Sequence, residues 1–327
     1  MTERIVDKRI SYTAADTIPI KCILDKELLE STRKGIILPI HIQFMPTNKC
    51  NLNCPFCSCS KRDKDLAMRL EDAIRIIDIC AKLGTKAVTI TGGGEPLCYP
   101  YFDELVSYFV SRNIQIGLVT NGLLLHKAKT DTLQKLTWCR ISSGDDRKFS
   151  KQYSDSLHAA ISMANNVDWA FSHVASSKPN IETIRRIIFF ANVHNFTHIR
   201  IVSDLFNPEE VSLDTLKENL DGIDDSLVIY QGRKEYTTGG DCYVCYLKPV
   251  IAPDLQVYAC CGVQYASVIP ARDMSIDFTL GHAFDLAEII SNSKIPFRGK
   301  QCAKCYYGNY NEILGSMLKD IKHKEFV

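Results

Sequence analysis

The sequence has no long hydrophobic run. No stretch approaches the roughly 18 consecutive apolar residues that suggest a membrane-spanning helix, so the chain reads as non-membrane. It also lacks a charge imbalance: 39 Lys and Arg stand against 38 Asp and Glu, a net charge of +1. That balance removes the general electrostatic case for nucleic acid or a membrane surface as the default partner. The opening MTERIVDKRISYTAADTIPIK is charged throughout and has no apolar core of a secretory signal. A cytoplasmic location is therefore expected, where thiols stay reduced and the 14 cysteines do not form a disulfide framework. The eight histidines show no metal-ligand spacing.

The cysteines are unevenly placed. Cys50, Cys54, Cys57 and Cys59 crowd one short segment, TNKCNLNCPFCSCSKR, and Cys242, Cys245, Cys260, Cys261, Cys302 and Cys305 gather near the end. Cys22, Cys80, Cys98 and Cys139 are scattered. Cys80 falls on the apolar stripe of a helical pattern and Cys139 in a strand pattern, where a thiol is a small buried hydrophobe.

From residue 40 to about 230, β-type runs alternate with helical ones. IHIQFMP reads as the first strand. RLEDAIRIIDICAKLG then carries apolar residues at 70, 73, 74, 77, 80 and 81, a helical stripe with Gly84 placed to cap it. KAVTIT, IQIGLVT, TWCRISS, VDWAFSHVAS and HIRIVSD read as further strands; YFDELVSYFVSRN, 126–136 and IETIRRIIFFANVHN read as helices. This alternation predicts an α/β fold with a parallel sheet, open or curved into a barrel, and helices outside. In such folds ligands gather at the C-terminal strand ends. There the cysteine segment follows strand one, TGGGEP strand two, TNG strand three and SSGDD strand four. After about residue 235 the texture changes to short β-like pieces, paired cysteines and Tyr-rich loops.

Cys50, Cys54 and Cys57 are spaced C-x3-C-x2-C in one Pro-containing loop. Three thiolates can converge on one iron–sulfur cluster, and a four-iron cube with three protein ligands keeps one iron open for chemistry. A zinc site, with Cys59 as the fourth ligand, or a redox thiol pair is the competing reading of this loop taken alone.

C50-NLN-C54-PF-C57, with Phe56 before the third cysteine, and GGEP at Gly93 to Pro96 resemble the radical S-adenosylmethionine (radical SAM) superfamily over residues 40 to 230. The resemblance implies a partial (βα)6 TIM-like barrel and a 4Fe–4S cluster on Cys50, Cys54 and Cys57. Its open iron would be chelated by the methionine moiety of SAM. It further implies that Gly93 and Gly94 let backbone approach the ligand, and that Glu95, or the carbonyls beside it, accepts from the SAM ammonium. Phe56 would lie beside the adenine and Ser142 at SAM's polar end. The implied reaction is reductive cleavage of SAM to methionine and a 5′-deoxyadenosyl radical, which abstracts hydrogen from an unreactive carbon. A flavodoxin- or ferredoxin-type reductant would supply the electron. Cys59 falls outside this motif.

The segment CYVCYLKPVIAPDLQVYACC, then LGHAFDLAEI, then QCAKC, resembles the auxiliary-cluster module called SPASM, or its shorter form, Twitch. The implied ligands of one auxiliary 4Fe–4S cluster are Cys242, Cys260, Cys302 and Cys305, with Cys245 and Cys261 as alternates or as hydrogen-atom donors. Where relatives have Asp-Gly in the hairpin turn, this chain has Asp254-Leu255, which puts the turn geometry in question. A zinc knuckle is the competing reading. The expected organisation is an extension at 1–38, the radical SAM core at 39–234, a Twitch-type β-hairpin and helix module at 235–310 and a C-terminal helix at 311–327. Tyr306, Tyr307 and Tyr310 suit a substrate mouth or packing around the cluster, and Arg147 and Arg200 suit an anionic group, the surface or packing on the sheet.

The reading that results is a radical SAM oxidoreductase or isomerase acting on a small or nucleotide-like substrate. A peptide or nucleic acid is the alternative substrate, and a non-catalytic zinc protein the alternative of another class.

Overall fold

A computed structural model describes residues 20–60, 62–204, 212–231, 237–238, 240–261, 278–298, 304–305 and 307–319. In chain order, α1 (Ile20–Leu24) and α2 (Lys26–Arg33) precede β1 (His41–Phe44), α3 (Leu70–Lys82) and β2 (Ala87–Ile90). Then come α4 (Phe102–Ser111), β3 (Gln115–Thr120), α5 (Thr130–Gln134), β4 (Trp138–Gly144), α6 (Lys151–Met163) and β5 (Asp168–Ala175). α7 (Ile181–Val193), β6 (His198–Ser203), α8 (Leu213–Glu218) and β7 (Val228–Gln231) complete the alternating part. β8 (Thr237–Thr238), α9 (Val244–Leu247), β9 (Val250–Ile251), β10 (Gln256–Tyr258), β11 (Thr279–His282), α10 (Leu286–Ser291), β12 (Lys304–Cys305) and α11 (Gly308–Met317) follow.

Strands β1 to β7 lie side by side in sequence order, each pair parallel. The predicted α/β architecture is therefore present. The sheet does not stop at β1. β9 pairs parallel with it, Gln43 opposite Val250 and Phe44 opposite Ile251, and β10 and β11 continue antiparallel. The result is a ten-stranded sheet with β11 and β7 at its edges. β8 and β12 form a separate antiparallel ribbon.

Alternation along each strand sets two faces. Phe44 meets Phe109 of α4 edge-on at 5.5 Å, and Phe171 meets Phe190 of α7 at 6.1 Å. Residues of that parity build the core under the helices. The opposite parity, Gln43, Thr89, Arg140, Ser142, Ser172 and Arg200, occupies the other face, turned away from α4 and α7. Among the described residues no helix is long and apolar enough to cross a membrane.

Helix α3 buries Ala73, Ile76, Ile77 and Cys80 and ends where Gly84 adopts φ +82°, as its sequence pattern predicts. The helix predicted over 126–136 is shorter, a 3-10 turn at Leu125–Lys127 followed by α5. Helix α6 was not anticipated; Ser150 caps it by accepting from Tyr153 N at 3.2 Å. The Asp254-Leu255 turn does form the hairpin: Leu255 takes φ +63°, a left-handed conformation that costs a non-glycine residue about 1–2 kcal/mol. α11 overlaps the start of the segment expected as a C-terminal helix, and residues 320–327 lie outside the described residues.

Candidate functional site

The cysteine loop leaves β1 and is held by backbone before any side chain contributes. Gly94 N donates to Thr47 O at 3.0 Å and Glu95 N to Lys49 O at 2.8 Å, joining the turn after β2 to the root of the loop. The fit admits only glycine. A Cβ on Gly93 would lie 1.7 Å from Asn48 Oδ1, and one on Gly94 2.0 Å from Lys49 O.

Glu95 is buried, 3% exposed. Its Oε1 accepts from Thr120 Oγ1 at 2.6 Å and Leu97 N at 3.2 Å, and its Oε2 from Asn121 N at 2.7 Å. Burial raises its pKa against the effect of these donors. Asn121 in turn donates from Nδ2 to Asn51 Oδ1 at 2.7 Å, tying β3 to the cysteine loop.

The end of β4 closes the same corner. The Phe56 ring lies on the Gly144 backbone, where a Cβ would come within 2.4 Å of it. Arg147 donates to Ser142 O at 2.8 Å, and Tyr153 Oη to Asn121 O at 2.7 Å. Behind this corner Asp145 receives His173 Nε2 at 2.9 Å, Ser176 N at 2.6 Å and Asn180 N at 2.9 Å. Cys50, Cys54, Cys57, Phe56, Gly93, Gly94, Glu95 and Ser142 therefore come from one contiguous corner at the C-terminal ends of β1 to β4.

The thiols differ in environment. A hydrogen bond from Cys59 holds Cys57 down at about 6, and that pairing and burial push Cys59 well up. Burial, helped by the neighbouring Asp146 carboxylate, pushes Cys54 up to about 12, and burial raises Cys50. Cys59 thus lies outside the motif yet touches it. Among the described residues no three His, Cys, Asp or Glu side chains converge on a point suited to one metal ion. A four-iron cluster takes each thiolate on a different iron, so a loop carrying three separated thiols fits that donor set. Two buried polar atoms flank the loop without a hydrogen-bond partner among the described residues, the acceptor Asn48 Oδ1 and the donor Arg147 Nε, whose ion-pair neighbour is Asp146 Oδ1 at 3.6 Å. An α-amino acid moiety, with its ammonium and carboxylate, requires one of each.

The C-terminal cysteines form a second group. The Cys245 thiol donates to Cys242 O at 3.2 Å. Hydrogen bonding from Cys245 also holds the Cys242 thiol below the ordinary range, whereas burial pushes Cys245 well above it. Asn311 of α11, buried at 6% exposure, accepts from Tyr243 N at 2.7 Å and Val244 N at 2.9 Å, and its Nδ2 lies 4.0 Å from Cys305 Sγ. Cys260 follows β10 and acts electrostatically on Cys245. Cys302 and Tyr306 lie outside the described residues. Tyr307 and Tyr310 pack on each other, ring centroids 6.2 Å apart, against the core. Asn48 and Asn311 carried no sequence signal, because their roles depend on which distant backbone meets them.

Residues 44–144 match the profile of the Radical SAM superfamily. A 91-residue stretch is 32% identical to the PqqA peptide cyclase of Granulibacter bethesdensis, covering 27% of this chain and 24% of that protein. An 83-residue stretch is 35% identical to the GTP 3',8-cyclase of a Synechococcus species, covering 24% of this chain and 24% of that protein. The matches thus span about a quarter of the length of these relatives. In fold, 81% of the chain superposes on 69% of Streptococcus suis SuiB bound to S-adenosylmethionine, with TM-score 0.58 and 17% identity. The chain therefore carries a segment of the radical SAM type within a mixed α/β fold built on a parallel sheet.

Proposed function

We propose that the chain is a radical SAM enzyme, with Cys50, Cys54 and Cys57 holding a 4Fe–4S cluster and the adjoining corner holding SAM. One observation carries this reading: the cysteine loop, the glycine turn and the ends of β3 and β4 are hydrogen-bonded into one corner, inside the segment that matches the superfamily. When bound, the cluster and SAM supply a 5′-deoxyadenosyl radical able to take hydrogen from an unreactive carbon.

The chain's own part is orientation. Gly93 and Gly94 bring backbone close to the ligand, and Asn48 Oδ1 with the neighbouring carbonyls accepts from its ammonium. Ser142 and Arg147 donate to its carboxylate, and Phe56 lies beside its adenine. Glu95, already engaged by three donors, fixes the turn rather than reaching the ligand. Cys242, Cys260, Cys302 and Cys305 would hold an auxiliary 4Fe–4S cluster of the Twitch type, which would supply an electron acceptor suited to net oxidation. A flavodoxin- or ferredoxin-type protein in the cytoplasm is the reductant.

The substrate is small or nucleotide-like. The 32% identity to a PqqA peptide cyclase favours a peptide as the second reading.

Anaerobic reconstitution tests the centre. About eight irons per chain, from two four-iron clusters, with broad visible absorbance are expected; stoichiometric zinc without colour would establish the structural zinc protein instead. Cys54→Ala should abolish reductive SAM cleavage, and Cys302→Ala should leave abortive cleavage without product. Deuterium transfer from labelled candidates into 5′-deoxyadenosine then separates small-molecule from peptide substrates.

A further inference from the structure

The face of the sheet turned away from α4 and α7 carries cations at its centre. Register places Arg140, Ala170 and His198 in one row across β4, β5 and β6, and Ser142, Ser172 and Arg200 in the next. Side chains on neighbouring parallel strands stand about 4.8 Å apart. The small Ala170 and Ser172 therefore form a floor about one strand wide, with Arg140 on one side and His198 and Arg200 on the other.

Arg140 makes no hydrogen bond or ion pair among the described residues; its guanidinium lies 5.6 Å from the Trp138 ring. Arg200 is oriented by Gln231, whose Oε1 accepts from Nε at 3.1 Å. His198 is 1% exposed and its Nε2 has no partner among the described residues. Thr197 Oγ1 donates to Trp169 O at 3.1 Å and lies 3.0 Å from His198 Nδ1. Nδ1 therefore carries the proton of the neutral ring, and Nε2 is an acceptor. Burial and the Arg200 charge lower Arg140 to about 9, and burial with both guanidiniums lowers His198 to about 4.

A guanidinium has five donors and no means of shedding its charge cheaply. Leaving the half-buried Arg140 guanidinium with neither a hydrogen bond nor an ion pair among the described residues is costly. Within the strands, Asp168 is the carboxylate on this face, at the N-terminal start of β5, one position along that face from Ala170. Arg140 and Arg200 are both part-exposed, so a ligand can reach them.

We propose that this face binds an oxyanion of the substrate, a carboxylate or a phosphate, against Arg140 and Arg200, with His198 Nε2 accepting from a neighbouring O–H or N–H of the same molecule. That the anion belongs to the substrate rests on the radical reading above; the anion site does not.

The test is calorimetry on the anaerobically reconstituted full chain, with inorganic pyrophosphate in one arm and succinate in the other. Wild type and the exposed control Lys151→Gln are expected to bind at one saturable site, and the arm that binds identifies the group. Arg140→Met and Arg200→Gln are expected to bind at least tenfold more weakly. Arg140→Met removes a cation that has no hydrogen bond or ion pair among the described residues, so its melting temperature without anion should equal or exceed that of wild type; Arg200→Gln carries the test if it does not. Binding in neither arm, or undiminished binding by the folded arginine variants, overturns the site. SAM cleavage is read in the same samples. Cleavage without anion binding sinks the anion site and spares the reaction, and binding without cleavage does the reverse.

Discussion

Glu95 Oε2 accepts the backbone N–H of Asn121 at 2.7 Å, so a side chain from the turn after β2 holds the end of β3. With Thr120 and Leu97 on Oε1, three donors meet one buried carboxylate. Glu95→Gln presents an amide N–H₂ to at least one of these donors. A loss of about 1–3 kcal/mol is expected, the cost of leaving a buried group unsatisfied. Denaturant unfolding measures it, and an unchanged midpoint would remove Glu95 from this role.

The glycine turn makes a paired prediction. Gly94→Ala sets a Cβ 2.0 Å from a backbone oxygen, whereas a Cβ on Gly240 meets nothing within 4 Å. Gly94→Ala should therefore cost about 1–3 kcal/mol through overpacking and lower the iron bound on reconstitution. Gly240→Ala should change neither. Equal iron content in the two variants would count against the close packing of turn and loop.

Asp145 predicts an acid-side instability. Burial alone would raise its carboxyl, but hydrogen bonds from His173, Ser176 and Asn180 outweigh that and hold it below the usual carboxylate range. A carboxyl depressed in the folded state stabilises the protein above its unfolded pKa of about 3.9, and that contribution is lost as pH falls through the folded value. Asp145→Asn should lower stability at pH 7 by about 2 kcal/mol and flatten the loss below pH 4. Parallel stability curves for variant and wild type would contradict the assignment.

Asn311 holds the second cysteine group by its two backbone acceptances from Tyr243 and Val244 and by its approach to Cys305. Asn311→Ala should destabilise the chain by about 1–3 kcal/mol, because two buried N–H groups lose their acceptor. It should also reduce reconstituted iron by up to half while SAM cleavage persists. Full iron content with wild-type stability would show that α11 does not organise this group.

Much of the architecture was legible because its signals are local. The stripe at 73, 77 and 80, Gly84 with φ +82° and the strand runs of β2 to β6 each lie within one segment. Helix α6 escaped notice because its stripe is weak: Leu157, Ala160 and Ile161 are its buried residues among many polar ones. The change of texture near residue 235 suggested a separate unit. Yet β9 joins β1 across more than 200 residues of sequence, and pairing at that distance leaves no periodic trace. Leu255 stands in the left-handed turn position without glycine; packing of its partly buried side chain against the core offsets the strain.

The sequence by itself determined the chemistry on offer: thiols at 50, 54 and 57, glycines at 93 and 94, and six more cysteines toward the end. Spacing along a chain suffices for that, since one loop brings its own residues together. Tertiary structure alone decided that Glu95 is bound by β3, that Cys59 touches Cys57, and that Arg140 and Arg200 share one face of the sheet. Those relationships depend on strand register and burial, and neither exists until distant segments pack.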